Sequence, residues 1–178
     1  PGEASTATGV NGNGADDSAP FAGAAYVFVR SGVAWSQQAY LKASNPQAND
    51  DFGWAVALSG ESALIGAPFE DSSATGVGGN GADNSAPDAG AAYAFVRSGT
   101  AWSQQAYLKA SNTGAGDHFG HTVALSGESG VIGAPIESSS ATTVNGNGAD
   151  NNAFSAGAAY VFTRSGTAWS QQAYLKAA

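Results

Sequence analysis

Three stretches of the chain set oxygen-bearing side chains at alternate positions around glycine: Asn11-Gly12-Asn13-Gly14-Ala15-Asp16, Gly78-Gly79-Asn80-Gly81-Ala82-Asp83 and Asn145-Gly146-Asn147-Gly148-Ala149-Asp150. Hard cations such as calcium take several oxygen ligands, and alternating carboxamides and carboxylates with glycine at the bend form the opening half of a calcium loop. On that pattern Asn11, Asn13, Asp16, Asn80, Asp83, Asn145, Asn147 and Asp150 are candidate calcium ligands. The bidentate Glu that completes an EF-hand does not follow, and the middle copy has Gly78 where the others have Asn. Asn and Asp beside Gly are also the ordinary composition of tight turns. The loops read either as a calcium site or as turn structure.

Other reactive residue types point away from catalysis. His118 and His121 are the only histidines, and the matching positions of another copy hold Asp51 and Trp54. Three residues apart on a strand, they are expected to face opposite ways and not to chelate one ion. Cysteine is absent, so a Cys-His nucleophile pair has nothing to build on. Glu61, Glu70, Asp71, Glu128 and Glu137 offer carboxylates of the kind glycoside hydrolysis uses in pairs. They fall in turns and loops and most recur from copy to copy, which suits a structural role. Arg30, Arg97 and Arg164 end one strand of each copy, and Lys42, Lys109 and Lys176 end the next, where edge pairing or solvation is expected. Gly76–Gly81 spells a dinucleotide-type GxGxxG without a strand-to-helix setting, and Asp51-Phe52-Gly53 matches a kinase triplet without the other kinase elements. The expectation is a protein that is not an enzyme.

The elements that hold these residues repeat. Tyr26, Tyr93 and Tyr160 are 67 residues apart, as are Trp35, Trp102 and Trp169. Residues 23–44 and 90–111 differ only at Val27/Ala94 and Val33/Thr100. One array over 1–178 is expected, with periods 1–67, 68–134 and a partial 135–178. Each period reads as four strands, about Phe52–Ser59, Ser62–Ala67, Gly90–Arg97 and Ala101–Ala110, with a long loop at 68–89. Short Gly-containing turns at Ser59-Gly60-Glu61 and Ser98-Gly99-Thr100 join them in hairpins, and no stretch has a helical period.

Both strand faces are apolar, one bulky and one small. In Phe52–Leu58, Phe52, Trp54, Val56 and Leu58 alternate with Gly53, Ala55 and Ala57. A sheet with one wet face alternates apolar with polar residues. Two dry faces predict sheets stacked on each other, the bulky face of one on the small face of the next. Four-stranded antiparallel sheets so stacked are β-propeller blades, and ten strands make two and a half of them. A two-layer sandwich and a β-solenoid are the rival architectures. Roles repeating in fours disfavour the first, and 67 residues per coil the second.

Phe52-Gly53 followed by Gly66-Ala67-Pro68, and Phe119-Gly120 followed by Gly133-Ala134-Pro135, resemble the FG-GAP repeat of integrin α propellers and many secreted bacterial proteins. The Gly-Ala-Ala-Tyr and Trp-Ser-Gln-Gln-Ala-Tyr strands are closest to the bacterial branch. The resemblance implies propeller blades, a secreted or cell-surface setting, and roles in adhesion or binding. Integrin blades often hold calcium between their first and second strands. Here that turn is only Ser59–Ser62 or Ser126–Ser129, with one carboxylate, so that site is not implied.

Fourteen acidic and six basic residues give a net charge of −8, which argues against nucleic acid and anionic membranes as partners. No apolar run reaches the roughly 18 residues that cross a bilayer. The first residue is Pro and no leader is evident, so a processed product or a piece of a longer chain is expected. Unpaired strand edges and dry terminal faces predict self-association, as a closed ring or an open filament, beside a cell-surface or matrix ligand. The leading expectation is an extracellular binding module, and the alternative a self-assembling structural subunit.

Overall fold

A computed structural model describes residues 1–178. Its ten strands are β1 (Ala25–Ser31), β2 (Ala34–Leu41), β3 (Ala55–Ser59), β4 (Ser62–Ala67), β5 (Ala91–Ser98), β6 (Ala101–Leu108), β7 (Thr122–Ser126), β8 (Ser129–Ala134), β9 (Ala158–Ser165) and β10 (Ala168–Leu175). There is no helix. The strands form three antiparallel sheets, β1-β2, β3-β4-β5-β6 and β7-β8-β9-β10, with the form of propeller blades. Each sheet is a meander, because two-residue Gly turns such as Gly60-Glu61 return the chain beside itself.

The first strand of each full blade is shorter than its apolar pattern suggests. It begins at Ala55, not Phe52, because the Phe52 backbone bridges to the neighbouring blade, while the Gly53 amide still bonds Gly66 of its own blade at 3.0 Å. Phe52 makes a parallel bridge with Gly23, and Phe119 the same with Gly90. Both phenylalanines are buried, edge-on to Tyr93 and Phe95 and to Tyr160 and Phe162 respectively.

Each blade also carries a bulge. The registers of β2, β6 and β10 skip Gln38, Gln105 and Gln172 against their partners. One extra residue reverses the alternation, so Trp102 and Tyr107 both reach the bulky face although five positions separate them.

Two apolar cores lie between blades. Ala39 and Leu41 of the first sheet meet Ile65, Tyr93, Phe95 and Trp102 of the second. Leu64, Ala94, Ala106 and Leu108 of the second meet Ile132, Tyr160, Phe162 and Trp169 of the third. The bulky face therefore seats on the small face of the preceding blade, the reverse of the direction read from the strand pattern. Only the middle blade is covered on both sides. Leu64 is 0% exposed there, whereas Val131, its equivalent in the last blade, is 41% exposed. Burying a side chain of this size contributes about 1.5–3 kcal/mol, so these seams carry much of the stability.

Candidate functional site

The three Asn/Gly/Asp loops project beside the seams, and a hydrogen-bond pattern fixes each. Asn11 Oδ1 accepts the Tyr40 N–H at 2.9 Å, and Asn145 Oδ1 the Tyr174 N–H at 2.9 Å. Asn13, Asn80 and Asn147 accept from the amides of Ala15, Ala82 and Ala149 at 3.0–3.1 Å, closing tight side-chain turns. Asp16 accepts from the Thr6 amide and the Ser18 hydroxyl, each at 2.9 Å. Asp83 accepts likewise from Ser73 and Ser85, and Asp150 from the amides of Ser140 and Asn152. These bonds hold the Asp83 carboxyl down at about 2, and lower those of Asp16 and Asp150 too.

Each set of candidate calcium ligands thus lies on one loop, with its oxygens turned to separate N–H and O–H donors. No three His, Asp or Glu side chains converge at metal-binding distance. Gly78 takes a positive φ of 73° in place of Asn11 and Asn145, and its amide still bonds the Tyr107 carbonyl at 2.9 Å. The loop's backbone course therefore recurs in all three copies even where the first asparagine is replaced.

A buried polar hub lies under each loop, where the sequence pattern predicts only turns and strand ends. Glu70, 2% exposed, accepts from Lys109 Nζ at 2.8 Å, Tyr107 OH at 2.8 Å and Asn45 Nδ2 at 3.0 Å. Asn45 belongs to the preceding blade. It also donates to the Gly81 carbonyl at 2.7 Å and accepts from Tyr93 OH at 2.9 Å. Glu137, Lys176, Tyr174, Asn112, Gly148 and Tyr160 repeat the arrangement one seam on. The lysines expected at a solvated strand end are instead enclosed: Lys42 and Lys109 are fully buried. Burial lowers the Lys109 pKa, and the Glu70 carboxylate opposes that shift. The only sequence signal for the hub is the recurrence of Glu and Lys at 67-residue spacing.

The other carboxylates considered for catalysis, Glu61, Glu128 and Asp71, are also engaged. Glu61 holds Arg97 through two bonds of 2.5 and 2.8 Å, and Glu128 holds Arg164 identically. Asp71 accepts the Asp88 amide at 2.9 Å. His118 and His121 lie on a turn before β7, not on a strand, and His118 takes a positive φ of 57° as Asp51 does one copy earlier. They pack in an aromatic cluster, His118 with Phe69 at 5.0 Å and His121 with Trp54 at 5.5 Å. Burial lowers the His118 pKa.

Between loops 68–89 and 135–156 runs an open polar groove of about 510 Å³. Thr75, Ser111, Asn112, Asn147 and Asn151 present hydroxyls and carboxamides along it, and Ala149 is its one apolar residue. Such a surface suits neutral, hydrogen-bonding ligands and offers no nucleophile–base pair.

The FG-GAP repeat model matches the chain twice, at residues 35–95 and 102–162. No curated protein matches the chain as a relative. The two matched stretches cover most of the molecule and include both Phe-Gly pairs where they lock consecutive blades, so this chain belongs to the FG-GAP repeat family.

Proposed function

We propose that this chain is a non-catalytic binding module of a secreted or cell-surface protein, which engages a polar cell-surface or matrix ligand through its loop face. The observation that carries this reading is the groove between loops 68–89 and 135–156, where hydroxyl and carboxamide side chains alternate with glycines and no charged side chain intervenes. Its floor is rigid, because Asn112 in the groove is also bonded to Glu137 and Tyr160 beneath it. A site fixed before binding loses little ordering entropy when occupied. Support for a non-catalytic role comes from the carboxylates, since Glu70 and Glu137 are tied to lysines and Glu61 and Glu128 to arginines.

The test is binding of the purified chain to arrays of glycans and matrix proteins, compared with a Thr75→Ala, Asn151→Ala variant. These side chains make no bond to the hub, so the variant should melt like the parent and lose binding at least about tenfold. Equal binding by the two proteins would overturn the loop-face assignment.

A second reading, a self-assembling structural subunit, rests on the terminal faces. Tyr26, Phe28 and Trp35 are exposed on the first sheet, although their copies Tyr93, Phe95 and Trp102 are buried. Val161, Ala173 and Leu175 of the last blade match Ala94, Ala106 and Leu108, which those aromatics' copies cover at the inner seam. Head-to-tail contact between chains would repeat that seam. Light scattering at micromolar concentration should then show assemblies that Trp35→Asp disperses, and a concentration-independent monomer would eliminate this reading.

A further inference from the structure

The two seams follow the same chain course, yet only the second carries the polar groove. At the first seam Gln47 reaches across to the loop of the next blade and clasps Asn84. Gln47 Nε2 donates to Asn84 Oδ1 at 3.0 Å, and Asn84 Nδ2 donates to Gln47 Oε1 at 2.6 Å. One repeat on, the matching residues are Gly114 and Asn151. Gly114 has no side chain with which to reach, so Asn151 is left exposed in the groove wall with no carboxamide opposite it.

The backbone around the two pairs is the same. The Gln47 and Gly114 amides each bond a carboxylate three residues on, Asp50 or Asp117, at 2.8 Å. Asn45 and Asn112 each donate to the facing loop, at the Gly81 carbonyl at 2.7 Å and the Gly148 carbonyl at 3.1 Å. Asp83 and Asp150, just before Asn84 and Asn151, accept the amide two residues on at 3.2 and 3.1 Å. Asn151 is therefore presented as Asn84 is, and the groove of about 510 Å³ opens where the glutamine side chain is missing. Thr113, which replaces Pro46, does not fill the gap, because its hydroxyl turns back to the Ala110 carbonyl at 2.8 Å. Ser111 is also engaged, accepting from Gln171 Nε2 at 2.9 Å.

We infer that the groove takes a primary carboxamide, the glutamine side chain of a partner protein, in the place that Gln47 fills at the first seam. The Gln47–Asn84 clasp is a closed ring of two hydrogen bonds. Such a ring needs an N–H donor and an acceptor oxygen on the same side of one group, which a primary carboxamide has. A secondary amide in its trans form, such as the acetamido group of an amino sugar, points its N–H and C=O in opposite directions and makes one bond at a time. A carboxylate has no proton to give to Asn151 Oδ1. No charged side chain lines the groove to hold an ion instead. The inference rests on the loop-face reading above and narrows its ligand to a glutamine-bearing protein segment.

The test adds a soluble Gln/Ser/Gly peptide to the nitrogen-labelled chain and follows the side-chain carboxamide signals by NMR. The Asn151 signals should shift and saturate. The same peptide with Ala or Glu in place of each Gln should bind at least about tenfold more weakly, because two hydrogen bonds are lost. Gly114→Gln should close the groove with the chain's own amide and abolish peptide binding without lowering the melting temperature. A Cβ at Gly114 would come within 2.9 Å of the Asp117 carboxylate, whose copy Asp50 sits beside Gln47 with the same bond. Gln47→Gly should do the reverse and uncover a second site, read at the Asn84 signals. Asn151 signals that stay in place, binding that survives Gly114→Gln, or equal binding by the Ala peptide would each overturn the assignment. Shifts caused by N-acetylglucosamine oligomers and not by the glutamine peptide would overturn the carboxamide and keep the loop face as the binding surface. No shift with either probe, together with unchanged array binding by the Thr75→Ala, Asn151→Ala variant, would end both readings.

Discussion

Gln38 of the first sheet accepts the indole N–H of Trp102, in the second, at 2.9 Å, and Gln105 accepts that of Trp169 at the same distance. Both glutamines are the extra residue of a β-bulge. The bulge turns an otherwise outward side chain into the seam, where it also meets Arg97 or Arg164. Gln172 occupies the same bulge in the last blade and bonds only Ser170 at 3.0 Å. Three identical residues thus divide into two seam locks and one free end. Gln38→Ala and Gln105→Ala should each destabilise by about 1–3 kcal/mol, since a nearly buried indole N–H loses its partner. Gln172→Ala should stay within about 0.5 kcal/mol of the parent. Urea denaturation of the three variants measures the contrast.

The hub around Glu70 predicts an order of severity. Glu70 accepts from Lys109, Tyr107, Asn45 and the Ser72 amide, whereas Lys109 has Glu70 as its charged partner. Removing the carboxylate strands an enclosed ammonium and three further donors. Glu70→Ala should therefore cost at least about 3–5 kcal/mol, and Lys109→Met less, because the carboxylate keeps its other donors. Glu3→Ala should be milder still. Glu3 holds Lys42 at 2.5 Å and Tyr40 at 2.6 Å, but its side chain is 17% exposed and no asparagine of a preceding blade reaches it.

These contrasts show where sequence reading succeeds and fails. The strand count and the two dry faces are legible because each is carried by residues adjacent in sequence, such as Val56-Ala57-Leu58. The direction of stacking is not, since it depends on which blade Phe52 leaves its own sheet to join. Lys109 looks like a solvated strand end because its partner Glu70 lies 39 residues away in a loop. The bulge at Gln105 is equally hidden, and without it Trp102 and Tyr107 belong on opposite faces. Identical residues also cannot announce different burial: Phe28 is 52% exposed and Phe95 is 1% exposed, and what separates them is the β4 strand paired beside Phe95 and the sheet packed over it.

Two buried aspartates make stability depend on pH. Burial raises the Asp50 carboxyl to about 7, aided by the nearby Glu70 and Asp71 charges and opposed by the Gln47 amide and by Lys109. Burial likewise raises Asp117 to about 6. A raised carboxyl pKa means that the folded chain holds a proton the unfolded chain has released. The contribution of these groups is full below about pH 4 and is lost as the pH climbs through 6 and 7. Asp50→Asn keeps an acceptor for the Gln47 amide, which Asp50 bonds at 2.8 Å, and carries no charge. At pH 8 the variant should exceed the parent by on the order of 2 kcal/mol, and the gap should close by about pH 4.5. Denaturant midpoints across that range test the sign, and a gap that widens on acidification would refute it.

The Phe-Gly and Gly-Ala-Pro elements that mark the repeat meet at one contact. Gly120 takes a φ of +91°, and a Cβ there would lie 2.1 Å from the Ala91 carbonyl oxygen. Gly66, in the preceding blade, faces it so closely that a Cβ would lie 1.9 Å from the Gly120 carbonyl oxygen. Two backbones thus touch where any side chain would separate the blades. Gly127 supplies the contrast, with a φ of +56° in a hairpin turn and nothing within 4 Å of the place a Cβ would take. Gly127→Ala should cost about 1 kcal/mol, the conformational penalty alone. Gly120→Ala and Gly66→Ala should each cost at least about 3 kcal/mol, because the backbone of the neighbouring blade has to move as well. They should also expose Ile132 and Phe162 at the seam, so dye binding to apolar surface should rise for these two variants and not for Gly127→Ala. Equal losses at all three glycines would show that turn conformation, and not the blade-to-blade contact, sets their importance.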